Sequence, residues 1–379
     1  MLTSLRIQNF RSIRDASVKL GQVNLFIGPN NSGKSNFLKG VTMFGAYLKI
    51  FPKGYPLSEQ NFQALLPRSL SDAEKKSKIM RFAAQLAESN SKNKSVSLII
   101  GRAFNHEQFD EEGKFAQEVD VTSDVNAIHD FDGFYYSEGY SSEEEVPSLI
   151  WQTQRLFTDN TLYKFEPAGF ALSSGLSDEP FISANGRNIA NFLYTLSQNH
   201  EKQFAALKLD LAKCVGSLIS VSTPPDPFKK GNLRLKFFDD KGDSYWAEEV
   251  SEGVLYFLAL LCIVHQPDPP KLLLLEEPEK GIHPRRIKEV MDFIFELARL
   301  RDIQIILTSH SPYVVDHFAD IPECISVFDR ENGETVIHNA ADIIKETNDK
   351  LEAAGQKPIR YTDALGEYWV SGFLGGVPL

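Results

Sequence analysis

"GPNNSGKSN", Gly28 to Asn36, is the stretch on which the reading of this chain turns. It follows the apolar run "VNLFI" (Val23 to Ile27) and leads into a segment where Phe37, Leu38, Val41, Phe44, Tyr47 and Leu48 recur at helical spacing. The order is therefore buried strand, glycine loop, helix. Gly28 through Ser35 fits G-x-x-x-x-G-K-[ST] in full. Glycines let successive backbone amides turn toward phosphate oxygens, and the start of the following helix adds positive potential. Lys34 is placed to reach β and γ oxygens, and Ser35 to ligate Mg²⁺. Gly28, Asn30, Asn31, Ser32, Gly33, Lys34, Ser35 and Asn36 are thus the expected contacts of a nucleotide, with ATP and Mg²⁺ as the ligands.

Upstream, "LTSLRIQNFRSIRDASVKLG" alternates apolar and polar residues, as surface strands do before a buried one. Far downstream the strand, helix, strand rhythm returns in "KLLLLEE" (Lys271 to Glu277), "RRIKEVMDFIFELARL" and "IQIILTSH" (Ile303 to His310). That rhythm builds parallel sheet. The four leucines deliver two carboxylates to the C-terminal edge of a strand, where α/β sheets place their ligands. Glu276 is expected to hold the water shell of Mg²⁺, and Glu277 to polarise an attacking water.

Between these motifs the pattern is mixed. It suggests a helix over Asp72 to Glu88, strands near "VSLIIGRAF" and "TLYKFEP", and a solvated acidic loop at "SEGYSSEEEVP" (Ser137 to Pro147). From Gly186 some thirty residues read as helix, too few for a long coiled-coil arm. "NLRLKFFDDKGDSYWAEEV" reads as a hairpin turning at Asp239 to Asp243, followed by an apolar helix capped by Ser251.

Fifty-one acidic against forty basic side chains give a net charge of -11, which speaks against a surface built to coat nucleic acid. Cys214, Cys262 and Cys324 follow no metal-ligand spacing and read as buried small hydrophobes of a reducing compartment, the cytoplasm. The chain lacks a run of about 18 apolar residues, and its start lacks the apolar core of a signal peptide, so no membrane association is expected.

"NFRSIRD", "FIGPNNSGKSNFL", "VSEGVLYFLALL", "LLLLEEPEKGIHP" and "ILTSHSP", in that order, resemble the ABC-type ATPases of the RecF, OLD and SMC kind. The resemblance covers residues 1 to about 45 and 181 to 320. It implies an α/β fold: an ABC-type P-loop core with a mixed or parallel sheet, and a helical and β insertion between the phosphate loop and the signature motif. The parts are then 1–50 with the phosphate loop, 51–180 as insertion, 181–250 as helical lever and hairpin, and 251–379 with the remaining motifs. By the same resemblance Ser251 and Gly253 match the signature motif that completes the site of a second copy. Glu252 stands where transporters often have glycine. His310 matches the switch histidine, Lys280 to His283 the D-loop, and Arg11 with Ser12 a basic element near the nucleotide. Glu276 departs from the aspartate found in many members, and its extra methylene still allows a water-mediated Mg²⁺ contact. Gln60, Gln63, Gln85 and Gln152 are all candidates for the Q-loop glutamine.

Such proteins act as clamps: copies close head to tail on ATP as a dimer or a larger ring, and hydrolysis reopens them. Members of the OLD type carry a TOPRIM nuclease after the ATPase. Here the residues after Pro312 are few and hold no Asp-x-Asp pair, so a nuclease or toxin effector is expected as a separate, neighbouring gene product. The resemblance implies bacterial defence against phage. A RecF-like or SMC-like repair ATPase that binds DNA directly is the alternative, and a transporter ATPase fits the opening "LRIQNFRSI" poorly.

Overall fold

Leu5 and Ile7 alternate with polar residues in β1 (Leu2–Phe10), Asn9 at φ 54° breaks the alternation before buried Phe10, and the strand pairs antiparallel with β2 (Ile13–Lys19). β3 (Val23–Ile27) is buried at every residue and leads through the glycine loop into α1 (Lys34–Ile50). β4 (Met80–Leu86) pairs with β1, matching Leu5 to Ala84 and Ile7 to Phe82. β5 (Lys94–Arg102) and β6 (Phe115–Thr122) extend this to a five-stranded antiparallel sheet, and α2 (Ser148–Leu156) follows. These elements are the β and helical insertion expected after the phosphate loop. The helix expected over Asp72 to Glu88 is corrected at Met80–Leu86, which is strand. This computed structural model describes residues 1–50, 64–71, 80–86, 94–102, 115–122, 148–157, 161–216 and 218–377. The acidic stretch 137–147, Gln60 and Gln63 lie outside the described residues.

A second compact unit spans Thr161–Ile303. It runs through β7 (Leu162–Tyr163), α3 (Pro167–Phe170), β8 (Ser174–Gly175), α4 (Ile189–Asn199) and α5 (Glu201–Cys214). The single long helix expected from Gly186 is therefore two helices. His200, with φ -139° and ψ 58°, ends α4 and starts α5. Leu218 and Ile219 of that stretch enter β9 (Leu218–Ser222) instead of continuing the helix. β10 (Asn232–Leu233) pairs with β8, while β11 (Lys236–Asp239) and β12 (Ser244–Trp246) form the expected hairpin. Its turn is tied by Asp239 Oδ1, which accepts from the amides of Lys241 and Asp243 at 3.0 and 2.8 Å. α6 (Glu252–Val264) is buried from Gly253 to Val264, so it is apolar on all sides. β13 (Leu272–Glu276) pairs in parallel with β7, and α7 (Pro284–Arg301) closes the unit at Asp302, a left-handed cap with φ 51°.

The chain then returns to the first unit, Met1–Asn160 with Gln304–Leu379. β14 (Gln304–Thr308) leads to α8 (Pro312–Asp316), β15 (Ile325–Glu331) and β16 (Glu334–Asn339), then α9 (Ala340–Ala353) and α10 (Leu365–Val370). β3 lies between β14 and β15, parallel to both, and β16 flanks β15 antiparallel. Burial on both faces explains why "VNLFI" is apolar at every position but Asn24, whose Nδ2 donates to the carbonyls of Gly21 and Ile305. Phe26, Phe37 and Phe328 pack edge-on or tilted behind it, with ring centroids 4.9 to 5.8 Å apart. Of the cysteines only Cys262 is fully buried, and Cys214 and Cys324 are half-buried. Desolvation still pushes both thiols up to about 11, and all three are free. No helix among the described residues is long and apolar enough to cross a membrane.

Candidate nucleotide site

In the first unit, β3 delivers Gly28 to the edge of the sheet with φ 142°. A Cβ there would lie 2.1 Å from the carbonyl oxygen of Phe328, so only glycine lets the loop sit against β15. Gly33 has φ 112°, and a Cβ would lie 2.1 Å from Thr335 Oγ1 on β16. Asn31 takes the left-handed conformation at φ 65°, which its short polar side chain tolerates. Lys34 is buried and its Nζ donates to the carbonyls of Gly28 at 2.8 Å and Pro29 at 2.9 Å, curling the loop around its own ammonium. Ser32 Oγ is buried and has no protein partner among the described residues. A buried hydroxyl without a partner is costly, and a phosphate oxygen at the loop would satisfy it. Together with two glycines that leave no Cβ in the cradle, this fits a bound triphosphate.

The turn between β1 and β2 reaches the same helix start. Asn36 Nδ2 donates to Ser12 Oγ at 2.9 Å, and Ser12 Oγ lies 2.8 Å from Thr335 Oγ1. Arg11, at φ 54°, is fixed by its amide donating to the Leu65 carbonyl at 2.6 Å, and its Nε is buried without a partner among the described residues. His310 follows β14, whose Thr308 is in register with Phe26 of β3. The Ser309 amide donates to the Phe26 carbonyl at 3.1 Å, so the exposed His310 stands at the sheet edge where Gly28 begins the loop. The structure thus brings Arg11, Asn36, the phosphate loop and His310 to one edge.

In the second unit, β13 carries Glu276, whose Oε1 lies 3.4 Å from Lys164 Nζ. The register explains the pair: Leu275 faces Tyr163, so the next residues, Glu276 and Lys164, also face each other. Glu277 is left-handed at φ 51°, a strained conformation for a glutamate and typical of functional turns. The Lys280 amide donates to the Glu277 carbonyl at 3.0 Å, and Gly281 at φ 80° continues the turn toward α7. A Cβ on Gly281 would meet Glu252 Oε2 at 3.7 Å, so this turn and the start of α6 lie side by side.

Ser251 occupies the N-cap of α6, but the cap expected of its hydroxyl is corrected: no side-chain cap hydrogen bond forms. Its backbone carbonyl accepts from Val254 at 3.0 Å, and its Oγ accepts from Arg286 Nη1 at 2.8 Å. Gly253 faces the same guanidinium, an added Cβ lying 3.7 Å from Arg286 Nη1. Ser251, Gly253, Glu276, Glu277 and Lys280 to His283 therefore belong to one unit, and the phosphate loop, Arg11 and His310 to the other. Sequence reasoning missed Thr335, Lys164 and Arg286. The turn "ENGET" at Glu331 to Thr335 was one readable signal, since Asn332 and Gly333 both take positive φ in the β15 to β16 hairpin.

The family model described as "AAA domain, putative AbiEii toxin, Type IV TA system" matches residues 23–316. An uncharacterized protein of Methanocaldococcus jannaschii, MJECL44, is 49% identical over 45 residues, which span 12% of this chain and 14% of that protein. Among solved structures, an SMC head domain bound to the C-winged-helix domain of ScpA is similar in fold, with a TM-score of 0.50 at 15% identity over 91% of this chain and 99% of that one. The SMC head domain from Thermotoga maritima gives a TM-score of 0.48 at 11% identity, over 89% of this chain and 98% of that chain. With strand β3, the glycine loop, β13 and β14 all inside the matched residues, the chain belongs to this AAA family, and its fold is similar to that of an SMC head domain.

Proposed function

We propose that this chain binds ATP with Mg²⁺, hydrolyses it, and works as a clamp whose opening and closing controls a separate partner protein. The observation that carries the reading is the phosphate loop, where Gly28 and Gly33 sit too close to β15 and β16 for any side chain and the buried Ser32 hydroxyl has no partner among the described residues. Lys34 exchanges its contacts with the Gly28 and Pro29 carbonyls for β and γ oxygens. Ser35 and, through water, Glu276 would hold Mg²⁺, which neutralises charge on the transferred phosphoryl group. Glu277 takes a proton from the attacking water, and His310 orients that water against the γ-phosphate. Ser251 and Gly253 of a second copy close the site, so the minimum assembly is a head-to-tail dimer, and larger rings fit the same logic.

A partner is supported by two likenesses: the family description names a toxin system, and an SMC head of this fold has been solved with ScpA seated on it. The partner is a nuclease or toxin effector of a phage-defence system, and the chain itself works in the cytoplasm without nuclease activity of its own. Direct DNA binding, as in repair ATPases of the same fold, is the second reading, and the net charge of -11 favours it less.

Sedimentation of Glu277→Gln with and without MgATP tests the clamp. A rise in mass on ATP is expected, because the variant binds but does not turn over; a mass that stays the same counts against closure. Lys34→Ala should remain folded and lose ATP turnover, and turnover at the wild-type rate would refute the phosphate-site assignment.

A further inference from the structure

The segment Leu365 to Val377 has no part in the nucleotide motifs, yet it touches the phosphate loop and the helix after His310. At one end, α10 lies against α8 so closely that a Cβ on Gly366 would sit 2.3 Å from the Pro312 carbonyl oxygen and 2.7 Å from its carbon. The Gly366 amide donates to Asp316 Oδ1 at 2.8 Å, which fixes both ends of α8 to this contact. α8 begins two residues after His310. At the other end, a Cβ on Gly376 would lie 2.7 Å from Val327 Cγ1, 3.1 Å from the Phe328 carbonyl oxygen and 3.3 Å from Gly28 Cα. The same Phe328 carbonyl excludes a Cβ on Gly28. Gly28 is therefore held between β15 and Gly376. Buried Trp369 and Leu374 anchor the stretch between, and Phe373 stacks edge-on against Tyr368 with centroids 5.8 Å apart.

We propose that Leu365 to Val377 is a strap that positions the nucleotide site, with Gly366 setting the helix after His310 and Gly376 setting the first glycine of the phosphate loop. This rests on the ATPase reading above. Neither glycine touches nucleotide. Each acts by permitting an approach that a side chain would forbid. The prediction is a split: Gly376→Ala displaces the loop that receives phosphates and raises KM for ATP, whereas Gly366→Ala displaces the His310 side and lowers kcat.

Gly375 supplies an internal control. It has φ 69°, close to the 63° of Gly376, but an added Cβ there meets nothing within 4 Å. Gly375→Ala and Gly376→Ala thus carry the same backbone strain and differ in the contact with Val327 and Gly28. Steady-state ATPase kinetics of the full chain, with melting temperatures alongside, should give a KM raised about fivefold or more in Gly376→Ala and within about twofold of wild type in Gly375→Ala, since ångström-scale misplacement is costly at such sites. Equal KM values in the two variants would overturn the proposal. If Gly376→Ala does not fold, hydrogen exchange on the wild-type chain decides: MgATP should slow exchange in residues 372–377, and an unchanged rate there refutes the strap. Failure of the wild-type chain to bind MgATP at all would instead sink the ATPase reading, and this one with it.

Discussion

Thr335 Oγ1 lies 2.8 Å from Ser12 Oγ although 323 residues separate them in sequence. Ser12 Oγ in turn accepts from Asn36 in the first turn of α1, and Thr335 sits directly beneath Gly33. A hydroxyl relay thus ties the β15 to β16 hairpin to the start of α1.

Thr335→Val keeps the shape beneath Gly33 and removes the relay. Loss of one buried hydrogen bond costs about 1 kcal/mol. MgATP affinity measured with a fluorescent analogue should fall by about three- to tenfold if that cost lands on the loop, and Thr335→Ser should restore it. Wild-type affinity in a folded Thr335→Val protein would show that the relay does not support the loop.

Lys164→Met removes the ammonium that faces Glu276 at 3.4 Å. On the proposed reading, a cation there would compete with Mg²⁺ for the carboxylate. Lys164 is partly exposed, so the pair is screened and worth at most about 1 kcal/mol. The Mg²⁺ concentration for half-maximal ATPase activity should fall by a few-fold, up to about fivefold, in the variant. An unchanged or increased Mg²⁺ requirement would separate Glu276 from the metal.

How legible all this was depended on distance along the chain. The glycine loop, "LLLLEE" and "TSHSP" are local patterns, each a strand run straight into its candidate residues, and the structure sets each at a strand end. "MRFAAQL" misled because alanine, glutamine and leucine favour helix in isolation. In the fold Phe82 and Ala84 pair with Ile7 and Leu5, and that pairing overrides propensity. The break at His200 carries neither glycine nor proline, so periodicity ran through it. Thr335 and Gly376 were invisible for a simpler reason: the loop glycines they meet, Gly33 and Gly28, lie three hundred residues or more away in sequence.

His265 gives a pH dependence unrelated to nucleotide. Burial pushes its imidazole below the ordinary value of 6.5, with the nearby Arg301 guanidinium adding to the effect and Asp210 opposing it. Its Nε2 lies 3.0 Å from Asp210 Oδ2 and 3.1 Å from Arg301 Nη2. As pH falls through 6.5 the unfolded chain takes up a proton that the folded chain still refuses, so stability declines until the folded group titrates too. Asp210, desolvated yet held below 3.8 by hydrogen bonds from Lys213 and His265, loses its contribution only at lower pH. Melting temperature should therefore drop between about pH 7 and 5.5, and His265→Gln should flatten that slope. Parallel curves for the two proteins would contradict this assignment.

The place of β3 between β14 and β15 has a consequence for how the protein is made. Val23 to Ile27 leaves the ribosome long before its neighbours, Ile305 to Thr308 and Ile325 to Val327. Thr161–Ile303 is a continuous stretch and can fold on its own schedule while β3 waits. Such long-range parallel pairing is intrinsically slow. A nascent chain therefore holds β13 and the turn after it before its glycine loop has walls, because Phe328 and Thr335 reach Gly28 and Gly33 only once β15 and β16 have been made.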